Sequence, residues 1–177
     1  MNKSIKAAQG GFTLIELIVV IVILGILAAT ALPKFASLSG EARLASLNAA
    51  KGSLSATSAM THGKYLVAPS KTITVEGTDV SMNTTSGYPS ATSGTQARAL
   101  AAAAGLAATD YTVYTAGGSG TRPKVDPGQF AVVPNSIVNT ATAAKCYVLY
   151  IPSTAANTPP TITVGSPTSP TAVKDCE

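Results

Sequence analysis

One carboxylate lies inside an otherwise apolar stretch, and this placement calls for a chemical explanation. Residues 12–32 form a run of 21 residues whose single charge is that of Glu16. A helix of this length is about 30 Å long, which matches the hydrocarbon thickness of a bilayer. A carboxylate near the bilayer centre costs on the order of 2.5–3.5 kcal/mol on insertion scales. Three interpretations of the segment account for Glu16 differently.

The first two interpretations give Glu16 no role. In a secretory signal peptide, Lys3 and Lys6 would be the basic region and residues 17–27 the apolar region. Residues 29–31, Ala-Thr-Ala, would be the small-x-small cleavage site. The whole charge-free run, residues 17–32, is long for the apolar region of a signal peptide, and Glu16 borders it directly. In a plain membrane anchor, Glu16 would have to lie near the interface, where a charge costs less.

The third interpretation gives the carboxylate a partner. If the chain is cut between Gly11 and Phe12, a new α-amino group appears on Phe12. Glu16 is then four residues along, one helical turn away on the same face. Its charge also lies near the helix N-terminus, where the macrodipole favours an anion. In a bundle of identical helices, the amine of a neighbouring copy would pair with Glu16 and define the axial register of the two subunits.

The residues around this cut carry a family resemblance. Residues 11–16, Gly-Phe-Thr-Leu-Ile-Glu, resemble the processing and methylation motif of type IV pilins and of the pseudopilins of type II secretion. A short basic leader precedes the motif. Gly25 and Pro33 also fall where many pilins have a helix-weakening glycine and a proline. The resemblance covers roughly residues 8–40 and is looser beyond them.

The resemblance implies a sequence of events for the N-terminus. A membrane-embedded prepilin peptidase removes the leader, residues 1–11, and N-methylates Phe12. The apolar segment, residues 12–32, is retained; it anchors the subunit in the inner membrane and later packs in the filament core. The implied partners are further copies of the chain, the peptidase and the inner-membrane assembly machinery, and Glu16 carries subunit register.

The periodicity predicts a long N-terminal helix, from about Phe12 to about His62, within a helical segment 12–64. Gly25 and Pro33 are its predicted weak points, because Pro33 cannot donate to the carbonyl four residues back and local kinking or melting follows. The resemblance implies that this segment loosens when the subunit enters the fibre. A simple kink at the membrane exit explains the proline equally well.

Beyond Pro33 the helix is predicted to be amphipathic. Its apolar stripe consists of Phe35, Leu38, Ala42, Ala45 and Ala49, at spacings of three and four. Gly63 is the predicted C-cap, and Lys64 beside it suits the negative end of the helix dipole.

The remaining residues, 65–177, are predicted to form a small domain. Residues 95–106 read as a short helix that stops near Gly105. The predicted strands are residues 71–76, 111–115, 129–133, 146–151 and 161–164. One long helix followed by loop-separated strands predicts an α+β fold, with an antiparallel sheet packed on the helix. The resemblance implies that this α+β fold is the type IV pilin fold.

Two cysteines, Cys146 and Cys176, accompany this export-type N-terminus. An even count in such a chain predicts one disulfide formed outside the cytoplasm. Closing a loop of about 30 residues stabilises the fold by roughly 3–4 kcal/mol and would hold the Pro/Thr-rich tail, residues 153–175. The bridge resembles the disulfide-bounded C-terminal loop of type IV pilins, which typically lies on the filament surface. Residues 87–90, Gly-Tyr-Pro-Ser, further resemble pilins of the mannose-sensitive haemagglutinin type.

The sequence lacks the residue patterns of an enzyme. There is one histidine, His62, and there is no C-x-x-C, P-loop or G-x-G-x-x-G. We therefore expect no catalytic residues, cofactor or metal. The net charge of +4 falls to about +2 without Lys3 and Lys6, which argues against a dedicated nucleic-acid binder. The basic residues within 122–124 read as a solvated loop rather than a DNA contact, and residues 83–85 fit a glycosylation sequon without indicating its use.

Together these features predict a structural protein, the major subunit of a type IV pilus. The resemblance implies attachment, biofilm formation and movement, with an inner-membrane precursor that becomes a filament on the bacterial surface. A type II secretion pseudopilin is the alternative within the superfamily; the predicted disulfide-bounded tail and the absence of a calcium-type acidic cluster argue against it. An alternative of another class is a secreted adhesion or binding domain released by signal peptidase. No residue indicates a receptor.

Overall fold

The computed structural model describes residues 12–177, so Gly11 and the rest of the predicted leader lie outside the described residues. The chain divides into two compact units between Ala36 and Ser37. Helix α1 spans Leu14–Val67. The described part of the first unit is helical from Leu14 onward, and the second unit contains the remainder of α1 together with all later elements.

Helix α1 ends later than predicted. Gly63 is helical and is not the C-cap, and the expected end near His62 is wrong because α1 continues to Val67. Helix α1 ends because of Pro69, and not at Gly63. A residue that precedes proline is disfavoured in the α conformation, so Ala68 leaves the helix.

A small hairpin follows α1. Strand β1, Thr72–Val75, pairs antiparallel with β2, Thr78–Ser81. Glu76 and Gly77 connect them with φ values of +47° and +73°, the left-handed pair that a two-residue hairpin turn requires. The strand predicted over residues 71–76 is confirmed, whereas β2 was not predicted.

Helix α2, Gly94–Ala103, has recognisable caps at both ends. The Ser93 hydroxyl accepts from the Gln96 N–H at 3.3 Å, as an N-cap serine does. At the other end Gly105 has φ +74°, and the Leu106 N–H reaches the Ala101 carbonyl at 2.9 Å, which is a Schellman ending. The predicted helix and its stop near Gly105 are confirmed, although the regular helix ends at Ala103.

Five antiparallel strands form the main sheet, in the order β3-β4-β5-β6-β7. They are β3 Tyr111–Gly117, β4 Val125–Pro134, β5 Val148–Ile151, β6 Thr161–Ser166 and β7 Ser169–Pro170. Short 3₁₀ turns lie at Asn135–Ile137, Ala141–Ala144 and Val173–Asp175. The predicted strands are confirmed with one correction: Cys146 does not open β5, which begins at Val148, because its N–H bonds to the Thr142 carbonyl four residues earlier. Strand β7 was not predicted.

The core of the second unit lies between α1 and the sheet, and α1 presents a different face from the predicted one. Its buried side chains among the described residues are Leu47, Ala50, Leu54, Thr57, Ser58 and Thr61. Leu47, Ala50 and Leu54 share one hydrophobic core with residues of the sheet, including Phe130 and Tyr150. The predicted stripe of Phe35, Leu38, Ala42, Ala45 and Ala49 is exposed. The α+β architecture, a long helix packed on an antiparallel sheet, is confirmed.

Candidate functional site: the first turns of the long helix

Thr13 and Glu16 form reciprocal hydrogen bonds at the start of α1. The Thr13 N–H and hydroxyl both donate to Glu16 Oε2, at 2.8 and 2.7 Å. The Glu16 N–H donates in return to Thr13 Oγ1 at 3.3 Å. This is a capping box, in which two otherwise unsatisfied backbone donors of the first turn are paired. The sequence analysis missed this role, although Thr-x-x-Glu is the pattern that signals it.

The capping box uses one side of the Glu16 carboxylate. Both Thr13 hydrogens go to Oε2, whereas Oε1 makes no hydrogen bond within residues 12–177. An ionised carboxylate has about four acceptor sites. Glu16 can therefore cap its own helix and still accept a cationic donor from another molecule. Its predicted pairing with the Phe12 amine stays a prediction.

The aliphatic side chains that follow are exposed to solvent in the single chain. Their exposed fractions run from 42% at Ile18 to 74% at Leu14, and Phe12 is 94% exposed. By length and composition alone, α1 is a candidate membrane-spanning helix, a test that signal sequences and some core helices of soluble proteins also pass. An apolar surface of this extent marks a site of contact with lipid or protein.

Both predicted weak points lie inside α1. A Cβ added at Gly25 would meet nothing within 4 Å, so no close contact within the chain requires glycine there. Pro33 lies in the helix interior, where it supplies no N–H to the carbonyl of Ala29 four residues earlier. The helix is continuous through both positions. Their loosening during entry into a fibre stays a prediction.

A comparison with protein families identifies this segment. The model described as the prokaryotic N-terminal methylation motif matches residues 6–32. The motif supports a type IV pilin-like prepilin. A prepilin motif implies processing by prepilin peptidase and assembly into filaments, and it suggests a structural rather than an enzymatic role. No solved structure matches the chain.

The rest of the fold agrees with the prepilin motif. Cys146 and Cys176 form the predicted disulfide across a sequence separation of 30, and both residues are fully buried. A long N-terminal helix packed on an antiparallel sheet, with a C-terminal disulfide, is consistent with the type IV pilin fold. The apolar helix and the motif agree with a transmembrane segment in a methylated pilin-like protein.

His62 has a structural role. Its Nδ1 lies 2.8 Å from the Gly87 carbonyl, and its ring stacks on Tyr88 with centroids 3.9 Å apart and planes 4° from parallel. Gly87 has φ +73°, and a Cβ there would lie 3.0 Å from the Tyr65 ring. Residues 87–90 are thus held against α1, which explains why this segment has glycine and tyrosine in succession.

The remaining polar candidates also have partners within the fold. The Arg122 guanidinium lies 5.2 Å from the centre of the Tyr114 ring, a cation–π distance. The Asn83 side chain accepts from the Thr85 N–H at 2.9 Å and donates to the Ser153 carbonyl at 3.4 Å, so the sequon asparagine stabilises its own loop. Within residues 12–177, no three His, Cys, Asp or Glu side chains form a group suited to a metal ion.

Proposed function

We propose that this chain is the major structural subunit of a type IV pilus, of the mannose-sensitive haemagglutinin type. It polymerises into a surface filament that serves adhesion and biofilm formation, with motility as a further role. The observation that carries the proposal is a methylation motif, residues 6–32, that overlaps the start of a helix whose aliphatic side chains are exposed in the single chain. Such a helix requires an apolar environment, and a filament of helices supplies one.

The exposed apolar face supports burial between copies of the chain. In the first unit Phe35 is 69% exposed, and in the second unit Leu38 is 58% exposed. Ala42, Ala45 and Ala49, also in the second unit, are exposed small side chains that allow neighbouring helices to approach closely. In the membrane-anchored precursor the side chains of the apolar segment, residues 12–32, already lie in lipid, so transfer from water does not drive assembly. Van der Waals packing between closely approaching helices supplies the attraction instead.

The Glu16 geometry supports a specific register. After the peptidase cuts between Gly11 and Phe12, the methylated amine of one copy pairs with the Glu16 carboxylate of its neighbour. Oε1 is the available acceptor, because Thr13 occupies Oε2. Within an apolar bundle an unpaired charge is costly, so subunits displaced by one turn are disfavoured. Before assembly the precursor is anchored in the inner membrane, and the assembled filament lies outside the cell.

The Cys146–Cys176 bridge favours a pilus subunit over a type II secretion pseudopilin, as the sequence analysis argued. The proposed haemagglutinin subtype rests on the resemblance of the Gly-Tyr-Pro-Ser segment, residues 87–90.

Mass spectrometry of purified cell-surface fibres tests the proposal. The expected N-terminal peptide begins with N-methylated Phe12. A terminus at Leu32 would identify signal-peptidase cleavage and a secreted domain, and an uncut leader would identify a plain anchor. Electron microscopy with peptide identification then separates the two superfamily members, because a pseudopilin would be absent from surface fibres of the wild-type cell.

A further inference from the structure

The two edges of the five-stranded sheet are built differently. Strand β7 forms one edge with only two residues, Ser169 and Pro170, and a proline has no N–H to offer to another chain. Strand β3 forms the other edge over Tyr111–Gly117, and this segment contains no charged residue and no proline. Natural sheets protect a free edge with charges, proline, a bulge or a very short strand. The β3 edge has a bulge only after Thr115, so the residues before it lack these protections.

The pairing of β3 with β4 determines which backbone groups of β3 face outward. The ladder begins where the Asn135 N–H donates to the Asp110 carbonyl at 2.8 Å. In an antiparallel pair of strands, hydrogen-bonded and non-hydrogen-bonded residue pairs alternate, so every second residue after Asp110 bonds to β4. The residues between them turn their backbone N–H and C=O groups away from β4: Tyr111, Val113 and Thr115.

Most of these outward groups have no partner. The Tyr111 N–H donates to the Ala107 carbonyl at 2.9 Å, as a group that points away from β4 can do. No turn, loop or side-chain group among residues 12–177 bonds to the N–H or C=O of Val113 or to the N–H of Thr115. Unpaired backbone groups in this arrangement are where an extended chain can bind as an additional strand.

A cavity of about 360 Å³ lies along the same edge. It contacts three consecutive residues of β3, which are Tyr111, Thr112 and Val113. Because consecutive side chains of a strand point to opposite faces, a cavity that contacts all three lies along the edge of the strand and not on one face. Its other wall is formed by α2 and the turn after it, with mostly small apolar side chains: Ala101, Ala102, Leu106, Ala107 and Ala108. These small residues leave space for the side chains of an added strand.

Among the described residues that line this cavity, only Arg98 is charged. Its side chain is exposed, and in the part of the chain that the structure describes its guanidinium makes no hydrogen bond or ion pair. A guanidinium offers two parallel N–H donors that match a carboxylate. The cavity therefore combines an apolar wall with one cation that is available to an acidic ligand.

We propose that the β3 edge and this cavity form a docking groove for an extended, acidic peptide segment of another protein. The peptide binds as an additional strand beside β3, with apolar side chains directed toward α2 and a carboxylate near Arg98. Its backbone hydrogen bonds to Val113 and Thr115 supply affinity, and the cavity and Arg98 supply specificity.

The charge of the groove favours another protein over a second copy of this chain. The same edge of a second copy would bring another Arg98 and no carboxylate, since Tyr111–Gly117 contains no acidic residue. Every residue of the groove belongs to the second unit of the chain. The inference therefore does not depend on filament formation.

Titration with a defined peptide tests the groove. The probe is acetyl-Ser-Val-Thr-Val-Glu-Val-Ser-amide, added to the full-length chain in lipid nanodiscs, because free detergent could itself enter the apolar cavity. Calorimetry measures the affinity, and hydrogen exchange locates the binding site. We expect saturable binding and at least about tenfold slower exchange in Tyr111–Gly117. Exchange in the separate β1–β2 hairpin, Thr72–Ser81, should not change.

Two N-methylated forms of the probe test strand addition itself. In a strand bound at an edge, one alternate set of backbone N–H groups faces the sheet and the other set faces solvent. Methylating the first set should abolish binding, whereas methylating the second set should leave it saturable. Both forms keep every side chain, so binding through side chains alone would not distinguish them.

Two arginine variants test the recognition of charge. Arg98→Met removes the cation but keeps a long side chain, and it should weaken binding of the probe about tenfold or more. The matched control is Arg122→Met, because Arg122 lies against the ring of Tyr114 and does not line the cavity. This control should leave the affinity within about twofold of the parent.

Three results would overturn the proposal. The first is the absence of saturable binding at millimolar probe, and the second is equal binding of both methylated forms. The third is slower exchange in Tyr111–Gly117 at high protein concentration without any probe, which would identify a second copy as the occupant. An affinity that Arg98→Met leaves unchanged would overturn the requirement for an acidic peptide.

Discussion

Two regions of α1 reverse the usual relation between hydropathy and burial. In the first region, residues 14–27, aliphatic side chains are exposed, with Leu14 at 74%. In the second, residues 54–61, the buried positions include Thr57, Ser58 and Thr61, at 5% exposure or less. Burial in a single chain thus depends on which face meets a partner. The second region has its partner in the sheet, whereas the first has none within its own unit of the chain.

The second region buries small polar side chains, of which Thr61 bonds locally, whereas the Ser58 hydroxyl is buried without a hydrogen-bond partner among the described residues. The Thr61 hydroxyl donates to the carbonyls of Thr57 and Ser58, both at 2.9 Å. Hydroxyl groups satisfied by the preceding helical turn need no partner on the sheet. The sheet and the 87–90 segment can therefore approach α1 closely.

Removing the charge of Glu16, the one charge of the exposed region 14–27, should have the largest effect, a loss of fibre yield. Glu16→Ala removes the carboxylate half of the capping box and the proposed partner of the neighbour's amine, and an unpaired buried charge costs about 3–5 kcal/mol. We expect normal membrane insertion and cleavage but fibre yield below about one-tenth of the parent, since each 1.4 kcal/mol is tenfold. Sheared surface fibres quantified by immunoblot measure this, and a normal yield would refute the register role.

Glu16→Gln separates the two functions of that side chain. Glutamine can still accept the Thr13 hydrogen bonds through its amide oxygen but carries no charge. Fibre yield as low as that of Glu16→Ala would assign the effect to the charge, and full recovery would assign it to the cap.

Two leucines of α1 sharpen the contrast between exposed and buried faces. Leu47 is fully buried, so Leu47→Ala should lower the free energy of unfolding by about 2–5 kcal/mol. Leu38 is 58% exposed, so Leu38→Ala should change it by no more than about 0.5 kcal/mol. Denaturant titration of the full-length chain in micelles measures both. If the proposed filament is correct, Leu38→Ala should instead lower the denaturant concentration at which fibres dissociate.

A smaller effect is expected where the sheet contacts the loop region. The buried Tyr150 hydroxyl donates to the Pro89 carbonyl at 3.1 Å. Tyr150→Phe leaves that carbonyl unpaired and should cost about 1–3 kcal/mol in the free energy of unfolding. The same denaturant titration measures the cost, and an unchanged midpoint would show that the bond contributes nothing.

Tyr150 also makes the free energy of unfolding depend on pH. Burial raises the pKa of Tyr150 well above 10.0, and the nearby Ser58 hydroxyl opposes this only in part. The folded state therefore favours the protonated phenol, and this stability is present below pH 10 and lost as the pH rises further. Tyr150→Phe should flatten that decline without abolishing it, because burial also raises the pKa of Tyr147.

Features encoded by neighbouring residues could be predicted from the sequence. The methylation motif lies within residues 6–32, the stop of α2 is set by Gly105, and the two cysteines allow one pairing. The predicted strands were apolar and β-branched enough to be recognised. The placement of Glu16 relative to another copy depends on a second molecule, and no single sequence determines it.

The buried face of α1 could not be predicted because it depends on what packs against it. Phe35 and Leu38 fit the predicted stripe because they are apolar. The sheet instead packs on the face of α1 whose small hydroxyl side chains permit close approach. Strand β2 was missed because Thr78–Ser81 is short and polar, and its partner is defined by the turn at Gly77.

That turn has a practical consequence for engineering. Glu76 and Gly77 are exposed, the β1–β2 hairpin is a sheet separate from the five-stranded one, and a Cβ at Gly77 would meet nothing within 4 Å. An exposed loop tip with few contacts is where inserted peptides are best tolerated. If the chain polymerises as proposed, an epitope placed between these residues would be carried by every copy, which would make the fibre a repetitive scaffold for antigen display.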